Sequence, residues 1–229
     1  RRKGYKVKAV IPENATPERR QLLEIYGAEL IYSDGTKGSN GAIELAQKLV
    51  AQDPTLYMPF QYGNPANPLA HYETTGVEIL NDLPEVDVLV AGLGTGGTLM
   101  GVGRRLKERN PNTKVIAVEP NPGDLVQGLR SLDEGFIPPI LDTSLLDGKI
   151  MVDSRCAFAA TKDLTNKEGI FAGVSSGAVV HVAIRTAHRM EKGNIVVILC
   201  DGGWKYVSLG VWHKEFPALG ENMYSHLWW

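Results

Sequence analysis

Cysteine is scarce in this chain. Cys156 and Cys200 are the only two among 229 residues, without CxxC spacing or an accompanying histidine cluster. That excludes a disulfide-stapled secreted scaffold and a thiolate metal centre, and predicts two buried, reduced thiols in a cytoplasmic protein. The five histidines, His71, His181 and His188 among them, show no i,i+4 pairing, so no metal site is expected. A dominant charge is also missing. With 24 basic and 26 acidic residues the net charge is -2, which gives no field for nucleic acid or an anionic membrane. No apolar run approaches the roughly 20 residues that span a bilayer, and no signal-peptide pattern opens the chain. Internal repeats and low-complexity segments are absent.

What is present is a 43% hydrophobic content, enough to bury a core as one large or two small domains. Strand and helix patterns alternate along it. A strand is predicted over Lys6–Pro12, and Thr16 with Pro17 then opens a helix that Gly27 stops. AELIYS (28–33) predicts a second strand, NGAIELAQKLVAQ (40–52) a second helix, and Leu56–Gln61 a third short strand. From Asn67-Pro68 one helix is expected through PLAHYETTGVEILNDL (68–83). Strands follow at VDVLVAG (86–92) and KVIAVEP (114–120), around a helix that follows the Gly94–Thr98 turn. Leu125–Leu145 is loop-rich, Ser154–Lys167 and Gly177–Lys192 read as helices, and NIVVILCD (194–201) as a fully buried strand. The tail Trp212–Trp229 has no clean period. Strands alternating with helices predict an α/β fold, a parallel sheet with covered faces. At the start, Arg1-Arg2-Lys3-Gly4-Tyr5 reads as the last turn of a helix closed by a glycine, so an N-terminally truncated chain is expected.

The most informative run is Val86–Leu106. An apolar, β-branched strand enters Gly94-Thr95-Gly96-Gly97-Thr98, and a helix with few breakers follows. A Gly-rich turn at a helix N-terminus leaves backbone N–H groups pointing outward, where they cradle a phosphate. Thr95 and Thr98 add hydroxyl donors. The pattern also satisfies G-x-G-x-x-G, with Glu119 placed where a ribose-binding acid of a dinucleotide site would stand. Two strand–helix units precede it, however, and Thr98 suits a compact cup better than a long pyrophosphate. A turn serving packing alone stays open as well.

Two further constellations accompany that turn. Glu168–Ala178 (EGIFAGVSSGA) is a second small-residue turn feeding a helix, with Ser175 or Ser176 as a cap and Gly177 for close packing in its plain reading. Gln61–Pro68 (QYGNPANP) is rich in amide side chains and reads as an Asn-capped helix start. Two Gly-rich turns in one α/β chain suggest a single ligand held at two points.

QYGNPANP, HYETTG, AGLGTGGTLMGVGR, AVEP and EGIFAGVSSGA, in that order, resemble the cysteine synthase family of fold-type II pyridoxal-phosphate enzymes, which are tryptophan synthase β-like. The resemblance covers essentially the whole chain and displaces the dinucleotide reading. It implies pyridoxal 5'-phosphate as cofactor, with Gly94, Thr95, Gly96, Gly97 and Thr98 around its phosphate. Ser175 matches the serine that meets the pyridine nitrogen. A neutral hydroxyl there leaves the ring a moderate electron sink, which suits β-elimination and replacement more than transamination. Gln61 matches the glutamine near the substrate carboxylate. The family's cofactor-linking lysine has no counterpart here: Lys3, Lys6, Lys8 and Lys205 sit in no matching motif, and the catalytic base is left unassigned.

Within the family, Gly128–Pro138 (GLRSLDEGFIP) resembles the O-phosphoserine sulfhydrylases of actinobacteria, in which the arginine matching Arg130 meets the substrate phosphate. An isolated loop arginine would otherwise be a solvated cation. The end, His226-Leu227-Trp228-Trp229, resembles the same subgroup's aromatic tail, which enters the active-site cleft. The resemblance implies synthesis of L-cysteine from an activated serine, O-phosphoserine ahead of O-acetylserine. Sulfide or a thiocarboxylated carrier protein would donate the sulfur, and the assembly would be a homodimer. O-acetylserine sulfhydrylase, cystathionine β-synthase, an NAD-binding protein and an inactive fragment are the alternatives. Residues 1–56 are expected to be the remainder of a smaller N-terminal domain, and 57–229 a larger cofactor domain with its tail.

Overall fold

The computed structural model describes residues 2–213 and, for residues 227–228, the backbone. The chain forms two compact units, Arg1–Phe60 with Trp204–Gly210, and Gln61–Gly203 with Val211–Trp229.

In the first unit, strands β1 (Lys8–Pro12) and β2 (Glu29–Ser33) pair in parallel, Lys8 opposite Glu29 and Pro12 opposite Ser33. Helix α1 (Pro17–Ile25) connects them, and α2 (Gly38–Gln52) follows. Pro17 occupies the first turn of α1, where its missing N–H costs nothing. Thr16 holds the N-cap position, as expected, but its side chain makes no capping bond. Its hydroxyl donates instead to the Lys205 carbonyl at 2.9 Å. That bond, with Arg19 donating to the Tyr206 hydroxyl at 2.6 Å, ties the returning segment 204–210 to α1. Tyr206 is completely buried. Nothing in the local sequence signals that return, since a short aromatic stretch has no period of its own.

The second unit begins with two short helices, α3 (Ala66–Glu73) and α4 (Thr75–Asp82). The single helix expected over 68–83 is broken at Thr74, whose backbone leaves the helical region (φ -117°, ψ -78°). A five-stranded sheet follows, built from β3 (Val88–Gly92), β4 (Lys114–Pro120), β5 (Gly148–Val152), β6 (Ile195–Val197) and β7 (Leu227–Trp228). Its order is β6-β3-β4-β5-β7, parallel except for β7. Helices α5 (Gly97–Arg109), α6 (Ser154–Glu168) and α7 (Val174–Ala187) complete the unit. This is the expected α/β architecture.

Alternation along the strands explains how both faces are covered. Leu89 and Ala91 of β3, with Val115 and Ala117 of β4, pack in one cluster with Leu99, Val102 and Leu106 of α5. On the opposite face a Cβ at Gly92 would stand 3.8 Å from Val179 of α7. Continuous apolar runs at β3 and β4 are what a strand buried on both faces requires.

Several expectations need correction. Leu56–Gln61 is not a strand; it joins neither sheet among the described residues, and Pro59 offers no backbone donor. Gly148–Val152 is a strand although its short GKIMV run, with a lysine inside, gives little signal. The run over 194–201 forms a strand only at Ile195–Val197, and it is half-buried because it lies at the sheet edge. Cys156 is buried but Cys200 is exposed. Of the aromatic tail, His226 and Trp229 lie outside the described residues, and Leu227–Trp228 pair antiparallel with β5.

Candidate functional site

In open parallel sheets, ligands bind beyond the carboxyl ends of the strands, where helix N-termini converge. Helix α5 starts there, immediately after β3. Helix α7 runs back toward β6, so its start lies at the same end; the Gly173 N–H donating to the Asp201 carbonyl at 2.8 Å, just past β6, places it there. Both Gly-rich turns singled out in the sequence therefore stand at one edge of one sheet.

The first turn is a cradle. Gly96 takes a left-handed conformation (φ +87°) that an ordinary residue adopts only with strain. A Cβ on Gly97 would collide with the Asn67 amide, so that glycine permits the close approach of α3. Within the described residues the backbone N–H groups of Thr95, Gly96 and Thr98 meet no acceptor. They are the orphan donors of a helix start, at the positive end of its dipole. The Thr95 hydroxyl accepts from the Gly97 N–H at 3.1 Å and from Asn67 Nδ2 at 3.0 Å, which leaves its own proton to donate outward. Such a set fits a phosphate group.

Pro65 holds the N-cap position of α3, and just before it the Asn64 side-chain oxygen accepts the Ala66 N–H at 2.9 Å. The Asn67 amide instead spans Thr95 and the Gln61 carbonyl, the latter at 2.8 Å, so it holds the QYGNPANP segment against the cradle. Its neighbour on α3, His71, places Nε2 3.2 Å from the Thr98 hydroxyl and Nδ1 3.1 Å from that of Thr75. Burial lowers the imidazole's pKa below the usual histidine value, which favours the neutral ring. Both residues lie in motifs quoted above, but their types alone give no hint of these contacts.

Arg130 is not a solvated loop cation. Only 5% of it is exposed, and its guanidinium lies 5.0 Å from the Tyr62 ring centroid and 4.8 Å from that of Phe136. Such cation–π packing suits arginine's planar, weakly hydrated head group. Its backbone N–H donates to the Leu93 carbonyl at 2.8 Å, one residue before the cradle. Gln61, exposed itself, is next to Tyr62 in the chain. Gln61, Gly94–Thr98 and Arg130 are thus brought together.

Ser175 lies in the first turn of α7, 7% exposed, and neither it nor Ser176 is the cap, since the helix starts at Val174 after Gly173. The Ser175 hydroxyl makes no hydrogen bond within the described residues, and a polar ring atom would find a partner in it. Gly177 does allow close packing: a Cβ there would collide with Ala157 and Thr161 of α6. Glu119, the acid that a ribose would need, is fully buried and already engaged. It accepts the Leu132 N–H at 3.0 Å and pairs with Lys149 at 2.7 Å.

An α/β unit with a Gly-rich helix start after β3, beside the central strand β4, and a hydroxyl-bearing helix start at the same end of the sheet has the architecture of a fold-type II cofactor domain. Residues 1–201 match the family described as pyridoxal-phosphate dependent enzyme, and the chain belongs to that family. It is 40% identical over 216 residues to cysteine synthase of Staphylococcus aureus, a match spanning 90% of this chain and 69% of that protein. Among solved structures it is similar to a cysteine synthase from Entamoeba histolytica (TM-score 0.82, 33% identity, 94% of this chain and 67% of that one). It is also similar to a hydrogen sulfide-producing enzyme from Fusobacterium nucleatum (TM-score 0.84, 38% identity, 89% and 72%). The cofactor is pyridoxal phosphate, and the family match removes the dinucleotide alternative.

Proposed function

We propose that this protein makes L-cysteine by β-replacement on O-phosphoserine, with sulfide or a thiocarboxylated carrier protein as sulfur donor. The observation that carries the choice of substrate is the buried Arg130, packed against the edge-to-face ring pair of Tyr62 and Phe136 beside the Gly94–Thr98 turn. A guanidinium held in this way meets two phosphate oxygens as a fork, which a neutral acetyl group does not reward. When bound, pyridoxal phosphate supplies the electron sink for loss of the β-substituent and addition of sulfur.

The chain's own residues then divide the work. The Gly94–Thr98 turn holds the cofactor phosphate through the N–H groups of Thr95, Gly96 and Thr98 and the hydroxyls of Thr95 and Thr98, while the Gly97 N–H orients the Thr95 hydroxyl. Ser175 offers its hydroxyl to the pyridine nitrogen and adds no negative charge there. Gln61 donates an amide N–H to the substrate carboxylate, oriented by the Asn67 bond to its carbonyl. Arg130 binds the leaving phosphate and stabilises the charge that grows on it as it takes the electron pair of the breaking Cβ–O bond; the sulfur donor adds at Cβ only after the phosphate has left. None of Lys3, Lys6, Lys8 and Lys205 is assigned as the base. A cytoplasmic homodimer remains part of this reading, as does a division near residue 56 between a remnant of the smaller domain and the cofactor domain.

The test is cysteine formation by the full-length protein with each activated serine and sulfide. Arg130→Ala is expected to lower kcat/KM for O-phosphoserine by about 2–3 kcal/mol, on the order of 30- to 150-fold, and to spare O-acetylserine. Equal losses on both substrates would overturn the phosphate specificity and favour O-acetylserine.

A further inference from the structure

Thr75, His71 and Thr98 form a continuous line of hydrogen-bonding groups that ends at the cradle, His71 joining the two hydroxyls. A neutral imidazole has one donor and one acceptor nitrogen, so the line can run in either of two directions. If Nδ1 carries the proton, Nε2 must accept from Thr98, and the hydroxyl proton of Thr98 is spent on the ring. Thr98 could then offer a phosphate only a lone pair. If Nε2 carries the proton, it donates to Thr98 Oγ1, Nδ1 accepts from Thr75, and the Thr98 proton is released toward the cradle. A dianionic phosphate has no proton to donate, so it accepts only the second arrangement.

We propose that His71 is a positioning residue for the cofactor phosphate, held as the Nε2–H tautomer with Thr75 donating to Nδ1, so that Thr98 donates into the cradle. The proposal rests on the assignment of Gly94–Thr98 to the cofactor phosphate. His71 does not touch the phosphate; it decides which way the hydroxyl that does touch it points. The surroundings suit this use. The ring is partly buried between α3 and α5, where Gly101 leaves room: a Cβ there would sit 2.6 Å from that of His71. Burial also disfavours the imidazolium, which would place donors on both nitrogens and break the bond from Thr75. Polarisation along the line strengthens the terminal bond, because each donor is itself accepting.

The experiment is nitrogen-15 NMR of histidine-labelled full-length protein, freed of cofactor and titrated with inorganic phosphate and then pyridoxal phosphate. Affinities of His71→Leu, His71→Gln, Thr75→Val and Thr98→Val are measured alongside. The expected result is an Nε2–H, Nδ1-acceptor signature for His71 in both bound states. Affinity for pyridoxal phosphate is expected to fall about tenfold in His71→Leu and to recover largely in His71→Gln, whose amide keeps a donor near the Nε2 position. Thr75→Val should fall by less. An Nδ1–H signature in the phosphate-bound state overturns the proposal, even if every variant fails to fold, because it is read on the unaltered protein. So does His71→Gln binding no better than His71→Leu. If Thr98→Val binds pyridoxal phosphate as tightly as the unaltered protein, the assignment of the cradle itself falls. A weakened Thr98→Val with an Nδ1–H His71 rejects the tautomer alone.

Discussion

Lys149 of β5 places its Nζ 2.7 Å from Oε1 of Glu119 on the neighbouring strand β4, with the Glu119 side chain wholly buried. Oε1 has no partner of good hydrogen-bond geometry, so the contact is an ion pair rather than an aligned bond. The other carboxylate oxygen holds the Leu132 N–H, two residues beyond Arg130, and Lys149 also reaches Asp133 at 3.7 Å. The acid that mimicked a ribose ligand in the sequence therefore anchors the loop carrying Arg130.

Removing the ammonium leaves a buried carboxylate without its counter-charge, which is costlier than removing both partners. Lys149→Met is expected to cost about 2–3 kcal/mol of unfolding free energy, and Glu119→Gln less, since an amide oxygen can still take the Leu132 N–H. Urea unfolding of both variants and of the double variant checks this. A loss in Lys149→Met no larger than that in Glu119→Gln would show that the pair holds nothing.

Much of this was legible because the chain declares it locally. KVIAVEP coincides with β4 as found, and the Gly94–Thr98 turn runs directly into α5, with Gly97 and Thr98 already in its first turn. What escaped depends on partners distant in sequence. The break at Thr74 interrupts an intact apolar period, and the Thr74 hydroxyl turning back to the Ala70 carbonyl has no pattern to announce it. GKIMV becomes a strand because β4 is there to pair with it, and Trp204–Gly210 returns to α1 through the Lys205 carbonyl, the Tyr206 hydroxyl and Ser208, bonded to Thr16, Arg19 and Glu18. Arg130 was expected near a ligand by resemblance, but its burial against the Tyr62–Phe136 ring pair could not be seen in LRSLDEGF.

Asp147 gives the pH dependence a sign. Partial burial raises its pKa, but hydrogen bonds from Lys107, the Val115 N–H and Lys114 outweigh that, and the carboxyl ends below the usual aspartate value. A group with a lowered folded pKa stabilises fully above the ordinary aspartate range and loses that contribution as pH falls through the lowered value. Stability should therefore drop on acidification, and Asp147→Asn should remove part of that drop while costing about 1–2 kcal/mol near neutral pH. Thermal unfolding of both proteins across the acid range measures it; parallel pH curves would exclude Asp147 as a contributor.

Two glycines separate close packing from mere presence. A Cβ at Gly101 would collide with the Pro68 carbonyl of α3, whereas one at Gly148 would meet nothing within 4 Å. Gly101→Ala should push α3 off α5 and cost about 2–3 kcal/mol, while Gly148→Ala should stay within roughly 0.5 kcal/mol of the parent. Because α3 carries Asn67 and His71, the first substitution should also weaken cofactor binding. Denaturant midpoints and a pyridoxal phosphate titration of each variant decide between these outcomes. Equal effects at both positions would mean the helix contact is not tight.

Asn67 shows how stability and binding come apart at this site. Its amide restrains two groups, the Gln61 carbonyl and the Thr95 hydroxyl, and both have other recourse in its absence. Gln61 is exposed, so water replaces the lost donor; Thr95 keeps its bond from the Gly97 N–H. Asn67→Ala should therefore cost only about 1 kcal/mol of folding free energy. Binding is a different matter, because a phosphate cradle works by holding donors in place before the anion arrives. With Thr95 and the Gln61 segment no longer tied together, affinity for pyridoxal phosphate is expected to fall about tenfold, and KM for the amino-acid substrate to rise. Calorimetric titration with pyridoxal phosphate, set beside urea unfolding of the cofactor-free protein, separates the two quantities. A variant that loses several kcal/mol of stability and binds normally would make Asn67 a packing residue instead.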